Sequence, residues 1–254
     1  MGLEDIAHKQ LGGLFVQVLD QAPVVLMAQA AGFDFLFFDG EHGDIDRSRL
    51  SSVMLLGNSL GIPSIVRAPQ LARADVSRML DLGASGVMVP MVETAAQARQ
   101  LVSWAKYPPV GARSYSGGAH TGYGPSGHHA QNMSLANVST LAIAQIETVE
   151  GVRNVRDILA VPGLDAAIVG PCDLAISMCR PDEVGCPEEL ALIDEVQAAC
   201  AAAGKGFGII GGNALLARYA GDINLMVSAI DTHILRDALA GAAFEYQKIR
   251  AQAK

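Results

Sequence analysis

The stretch FDFLFFDGEHGD, Phe33 to Asp44, is an apolar run that stops abruptly on three acids and a histidine. FDFLFF is too short for a helix and suits a strand buried on both faces. Asp39, Glu41 and His42, with only Gly40 among them, then fall together at the C-terminal end of that strand. A buried strand that delivers charge at its end is what a closed α/β barrel needs, because catalytic groups collect at the carboxyl ends of its strands.

Seven further runs share this character: LFVQV at 14–18, PSIVR at 63–67, GVMVP at 86–90, LAIAQIE at 141–147, AAIVG at 166–170, GFGII at 206–210 and NLMVSA at 224–229. Between them lie helical patterns such as ADVSRMLDLGA and TAAQARQLVSWAK, with apolar residues recurring at three and four. Thr94 stands where an N-cap belongs, and Gly83 and Gly204 where helices stop. Eight strands, each followed by a helix, predict a (β/α)8 TIM barrel occupying residues 1–254 as one domain. An open doubly wound sheet would carry a G-x-G-x-x-G turn after its first strand, and none is present. From Tyr107 to about Thr140 the chain is rich in Gly, Pro, Ser and His. A connection of that length is expected to be functional or disordered and to sit over the barrel mouth, where His128 and His129 could reach substrate, although solvated loop histidines are the commoner case.

Composition narrows the function. The chain has 254 residues, half of them hydrophobic, enough to bury a large core without disulfide or structural metal. Its 18 basic and 26 acidic residues give a net charge of −8, with no basic cluster to follow a phosphate backbone, so nucleic acid is not an expected partner. No apolar run approaches the ~18 residues of a membrane span, and the N-terminus does not read as a signal peptide. A soluble, cytoplasmic protein is expected. The four cysteines, Cys172, Cys179, Cys186 and Cys200, form no C-x-x-C pair and read as reduced thiols.

Sorted by strand ends, the chemistry-bearing residues are Asp39, Glu41 and His42 after the second strand, Arg67 closing the third, Glu147 closing the fifth and Asp173 beyond the sixth. Glu147 and Asp173, on neighbouring strands, would repel unless a cation lay between them, and a hard divalent ion needs only one or two protein carboxylates. The other reading makes each a helix cap. Arg67 could stabilise an enolate oxygen or hold a carboxylate, or else pair structurally with Asp39 or Glu41. His42 beside two acids suits proton transfer near neutral pH. GIIGGN at 208–213 resembles the glycine-rich turn that cradles phosphate after strand seven of many barrels, but no basic residue is near it, and a tight turn or a close backbone approach to substrate is the better reading.

Several segments together are similar to one family. AGFDFLFFDGEHGDID (31–46), IVRAP (65–69), MLDLGASGVMVPMVETAAQAR (79–99), YPPVGARS (107–114), AQIETVEGVRNVRDIL (144–159) and GPCDLAISM (170–178) resemble the HpcH/HpaI class II pyruvate aldolases, of the 2,4-dihydroxyhept-2-enedioate and 2-dehydro-3-deoxyglucarate type. The resemblance implies a (β/α)8 barrel with its C-terminal helix exchanged between subunits of a hexamer, a trimer of dimers. It implies a divalent ion (Mg2+, Mn2+ or Co2+) on Glu147 and Asp173, and cleavage or formation of 4-hydroxy-2-oxo acids, giving pyruvate and a small aldehyde through a pyruvate enolate. It assigns Arg67 to the enolate and His42 to proton transfer, with Asp81 of a neighbouring subunit supporting that histidine. Gln145 would line the site, and Gly170 with the amides of Cys172 and Asp173 would hold the pyruvate carboxylate. No Schiff base is implied, since Lys106 and Lys205 fall at the wrong ends of their elements. Ser114, Cys179 and Ala229 depart from the family pattern around the aldehyde side of the pocket. Oxaloacetate decarboxylation, a citrate-lyase-like cleavage and a non-catalytic barrel that binds a 2-oxo acid are the competing functions.

Overall fold

The computed structural model describes residues 6–124 and 127–252. In chain order the elements are β1 (Leu11–Val16), α1 (Pro23–Ala31), β2 (Phe35–Asp39), α2 (Arg47–Leu60), β3 (Ser64–Arg67), α3 (Arg73–Asp81), β4 (Gly86–Val89), α4 (Ala95–Ala105), α5 (His129–Ser139), β5 (Leu141–Ile146), α6 (Val149–Arg153), α7 (Val155–Leu159), β6 (Ala166–Val169), α8 (Pro171–Ser177), α9 (Pro187–Ala203), β7 (Gly206–Ile210), α10 (Asn213–Arg218), β8 (Leu225–Ile230) and α11 (Asp231–Gln252). The strands are parallel and close in sequence order, β1 pairing with both β2 and β8. This is the eight-stranded barrel that the strand count predicts.

Two apolar layers follow from the period of two along each strand. Phe15, Phe35, Phe37, Ile65, Met88, Ile143, Ile168 and Val227 pack together inside the barrel. Leu36, Phe38, Val66, Val87, Ala144 and Val169 face the helices. Phe15 and Phe37 stack with ring centroids 5.1 Å apart. At Gly13 a Cβ would fall 2.4 Å from the Phe35 ring, so that layer admits only glycine there.

Local signals hold where they are chemical. The Thr94 side chain accepts from the Gln97 amide in a full capping box, and Gly204 ends α9 in the left-handed region at φ 62°. Gly83, at φ 108°, lies one residue beyond the cap of α3. Boundaries shift by a few residues. The first strand runs 11–16 rather than 14–18, because Leu11 already pairs with Leu225 while Val18 has turned out to solvent.

The long connection is the main correction. It joins the end of α4 to the start of β5, so it lies at the foot of the barrel, beside the amino ends of the strands, and not over the mouth. It is also not all loop, since it contains a 3-10 turn at Ala119–Thr121 and the whole of α5. Together with Pro63 and Ser85, which adjoin the starts of β3 and β4, it walls a foot cavity of about 740 Å3 that His128 and His129 also line. Within this chain those histidines are therefore at the far end from Asp39 and Glu147. Lys106 is buried at the same end, paired with Asp165 at 2.9 Å and donating to the carbonyls of Asn137 and Thr140.

Helix α11 stands apart from the other helices. Ile234, Leu239, Phe244, Tyr246 and Ile249 along it are exposed, and Asp231 is its only buried residue. Met226 and Ser228 of β8 are left only half-covered. Among the described residues no helix is long and apolar enough to cross a membrane.

Candidate active site at the barrel mouth

The alternation that builds the interior also builds the site. Continuing the inward positions by two residues carries β1 from Phe15 to Gln17, β2 from Phe37 to Asp39, β3 from Ile65 to Arg67, β5 from Ile143 through Gln145 to Glu147, and β6 from Ile168 to Gly170. The top layer of the barrel is thus polar where the layers beneath are apolar.

Arg67 is its fixed cation. Its Nε and Nη2 donate to the two oxygens of Asp39 at 2.9 and 2.8 Å, its Nη1 lies 3.3 Å from Glu41, and its guanidinium carbon sits 5.5 Å from the centre of the Phe15 ring. Both structural pairings open for this arginine are therefore made, while the side chain still reaches the mouth. Asp39 is fully buried and also accepts from the amides of Glu41 and His42 and from Gln17 Nε2. Burial pushes its carboxyl up, but the Arg67 hydrogen bonds and charge, with those of His42 and Gln17, hold it below its ordinary value. For Glu41 the balance is reversed: burial, reinforced by Asp39 and Asp173, outweighs Arg67 and His42 and raises it. The His42 ring is two-thirds exposed, with Nε2 3.8 Å from Glu41. Glu41 is the acid beside the imidazole, and Asp39 touches only the His42 backbone.

Glu147 and Asp173 lie on neighbouring staves, since Ile146 pairs with Val169 and Asp173 stands in the first turn of α8. Burial, with the nearby charges of Asp173 and Glu41, pushes Glu147 up to about 7, against the Met91 amide and Arg67, which pull it down. The capping alternative fails for Glu147, because Thr148 itself caps α6 through the Gly151 amide. Asp173 sits inside α8, whose cap position is Gly170.

Gln145 donates to Glu147 Oε2, and its own Oε1 is buried without a partner. At Gly170 a Cβ would fall 2.6 Å from that same Oε2 and 2.8 Å from Gln145 Nε2, so the absence of a side chain keeps this cradle open. Two acids, one costly to ionise alone, an orphaned amide oxygen and a cradle only glycine leaves free fit a hard cation and an oxygen-rich ligand. Among the described residues no three His, Cys, Asp or Glu side chains converge tightly enough to hold a metal by themselves, so such an ion would take its remaining oxygens from substrate and water.

Two residues join the site that sequence reasoning did not single out. Gln17 could have been found as the next inward position after Phe15. Met91 could not: its side chain is exposed, and its contribution is a backbone amide 2.8 Å from Glu147 Oε1, presented at φ 55°. Asp81 is not brought to the mouth. It ends α3 at the barrel foot, where Arg113 Nη2 donates to it at 2.6 Å. The Cys172 thiol, beside Asp173, is raised by burial and by the Asp173 and Glu189 charges.

The sequence profile of the HpcH/HpaI aldolase/citrate lyase family matches residues 12–214. The hydroxypyruvate/pyruvate aldolase of Pseudomonas aeruginosa is 35% identical over 230 residues, covering 89% of this chain and 85% of that protein. The 2-keto-3-deoxy-L-rhamnonate aldolase of Salmonella paratyphi B is 32% identical over 216 residues, 84% of this chain and 80% of that one. The crystal structure of an HpcH/HpaI aldolase from Desulfitobacterium hafniense DCB-2 superposes with a TM-score of 0.88 at 28% identity, covering 94% of this chain and 93% of that one. On the length of the profile match and on these identities, the chain belongs to the HpcH/HpaI aldolase/citrate lyase family.

Proposed function

We propose that this protein is a carbon–carbon lyase of the class II pyruvate aldolase type, cleaving or forming 4-hydroxy-2-oxo acids with pyruvate and a small aldehyde as the other partners. The observation that carries the reading is the pair Glu147 and Asp173 on neighbouring staves beside the Arg67 guanidinium: two acids, one of them raised to about 7 by burial and by the charge of the other, next to a cation at the same mouth. The two named relatives are both aldolases, which favours this chemistry over decarboxylation.

Glu147 and Asp173 would hold a divalent ion, Mg2+, Mn2+ or Co2+. When bound, such an ion supplies a Lewis acid that polarises the 2-oxo group. Gln145, whose Nε2 borders the cradle beside Glu147, would line the site and orient the bound acid, while Gly170 and the amides of Cys172 and Asp173 would take its carboxylate. In the cleavage direction His42 accepts the proton of the C4 hydroxyl, the C3–C4 bond parts, and the aldehyde leaves with that oxygen as its carbonyl. The electron pair of the broken bond passes into the pyruvate enolate. Arg67, held in place by Asp39, places its charge where the enolate oxygen develops. Protonation at C3 gives pyruvate.

The same reading makes the protein a homo-oligomer, in the family pattern a hexamer with α11 exchanged. Two observations support it: apolar side chains along α11 are exposed, and Asp81 lies at the foot of its own barrel, at the far end from its own His42, so the supporting role the family pattern gives it would fall to another copy. A screen of 4-hydroxy-2-oxo acids with each of the three ions, read as pyruvate release through lactate dehydrogenase, tests the activity. Metal-dependent release that is lost in Glu147→Ala supports the reading. Carbon dioxide release without aldehyde turnover, or full activity in that variant, overturns it.

A further inference from the structure

Asp39 is what fixes Arg67, and Asp39 is itself held from an unexpected side. Oδ1 takes Arg67 Nε and the amides of Glu41 and His42, whereas Oδ2 takes only Arg67 Nη2 and, at 3.2 Å, Gln17 Nε2. Gln17 is in turn oriented by the first turn of α11. Its Oε1 accepts from Thr232 Oγ1 at 3.0 Å, which fixes the amide with its NH2 toward Asp39. Its backbone amide donates to Asp231 Oδ1 at 3.0 Å, and the amides of Val18 and Leu19 donate to Asp231 Oδ2 at 2.9 Å each. Asp231 is buried and makes this turn of chain one piece with the root of the C-terminal helix.

We propose that Gln17 and Thr232 are positioning residues that brace the Asp39–Arg67 pair from the root of α11, so that the arginine at the mouth is aligned by the element that leaves the barrel. Neither residue bears on the reaction through its own chemistry. Thr232 acts through Gln17, Gln17 through Asp39, and Asp39 through the plane of the guanidinium. A buried carboxylate oxygen that loses one of its two donors shifts toward its remaining partners, and a bidentate pair is sensitive to that shift because both of its hydrogen bonds share one plane.

The kinetic arm of the test rests on the aldolase reading. Gln17→Leu is expected to lower kcat about tenfold while KM for the 2-oxo acid changes less than about threefold, the pattern of an interaction used mainly in the transition state. Gln17→Glu adds a signature that a packing role would not give. A protonated carboxyl can still donate to Asp39, whereas an ionised one repels it, so the activity of this variant relative to wild type rises as pH falls. Thr232→Val removes the hydroxyl and lowers kcat, and Thr232→Ser restores it. Crystal structures of the two Thr232 variants give an arm independent of activity: the Arg67 guanidinium is turned off the Asp39 plane with valine and aligned with serine. If the wild-type protein releases no pyruvate, the functional reading falls while the crystals still decide the brace. Equal Arg67 geometry in the two Thr232 variants, or a Gln17→Glu to wild-type ratio that is flat across pH, overturns it.

Discussion

The backbone N–H of Met91 points at Oε1 of Glu147 from 2.8 Å, and it does so from a left-handed conformation that a side-chain-bearing residue adopts at a cost. β4 ends at Val89, and the next residues reach across to the end of β5: Met91 to the Glu147 side chain, Val92 to the Gln145 carbonyl at 3.1 Å. A strained amide aimed at a proposed metal ligand separates what the side chain does from what the backbone does. Met91→Gly keeps the amide and relieves a left-handed cost of about 1–2 kcal/mol, so Mn2+ affinity by titration calorimetry stays within about threefold. Met91→Pro removes the donor and forbids φ 55°, and affinity falls more than about tenfold.

Glu147 gives a pH dependence with opposite signs for binding and for folding. At the proposed metal site a divalent ion would compete with the proton on a carboxyl raised to about 7, so affinity is expected to climb as pH rises through 7 and to level off above it. Without metal, the folded carboxyl sits above its ordinary 4.5, so between about 4.5 and 7 the folded state keeps a proton that the unfolded chain releases. That contribution to stability is present below the window and is lost as pH rises through it. Thermal denaturation of metal-free Glu147→Gln therefore lacks this decline, and the variant is more stable than wild type at pH 8 while it no longer binds Mn2+.

Gly170→Ala tests the cradle. The added methyl would meet Glu147 Oε2 at 2.6 Å and Gln145 Nε2 at 2.8 Å, so the side chains must give way. Overpacking of this kind costs about 1–3 kcal/mol. The expected outcome is a folded barrel by circular dichroism whose Mn2+ and pyruvate affinities are both lost.

Asp81 is tested by mixing subunits. Within one chain it is bound to Arg113 at the foot. If it serves a neighbour's His42, co-refolding inactive His42→Ala with inactive Asp81→Ala regenerates some intact sites and part of the wild-type activity. No recovery in mixed assemblies would remove Asp81 from the site.

The charged residues at strand ends were legible in the sequence because a single rule, the period of two, governs both the apolar interior and the polar layer that crowns it. Asp39, Arg67 and Glu147 all follow from that rule. The placement of residues 107–140 was also decidable in principle, since a connection from helix to strand must lie at the foot. Its Gly- and His-rich composition, which suggests a functional loop, outweighed the topology. Met91 had no sequence signal, because a backbone amide leaves no trace in residue type. Asp81 came from resemblance alone, and one chain cannot supply the residue it is thought to face.

Helix α11 departs from the barrel at Asp231 with its apolar side chains turned outward, and the eighth strand is left partly bare behind it. A freshly synthesised chain can thus close its eight staves and still hold greasy surface that, among the described residues, no element of its own covers. In the proposed oligomer, refolding yield would then be a contest between correct pairing of chains and precipitation, and a mutant copy mixed with healthy ones would impair more than itself.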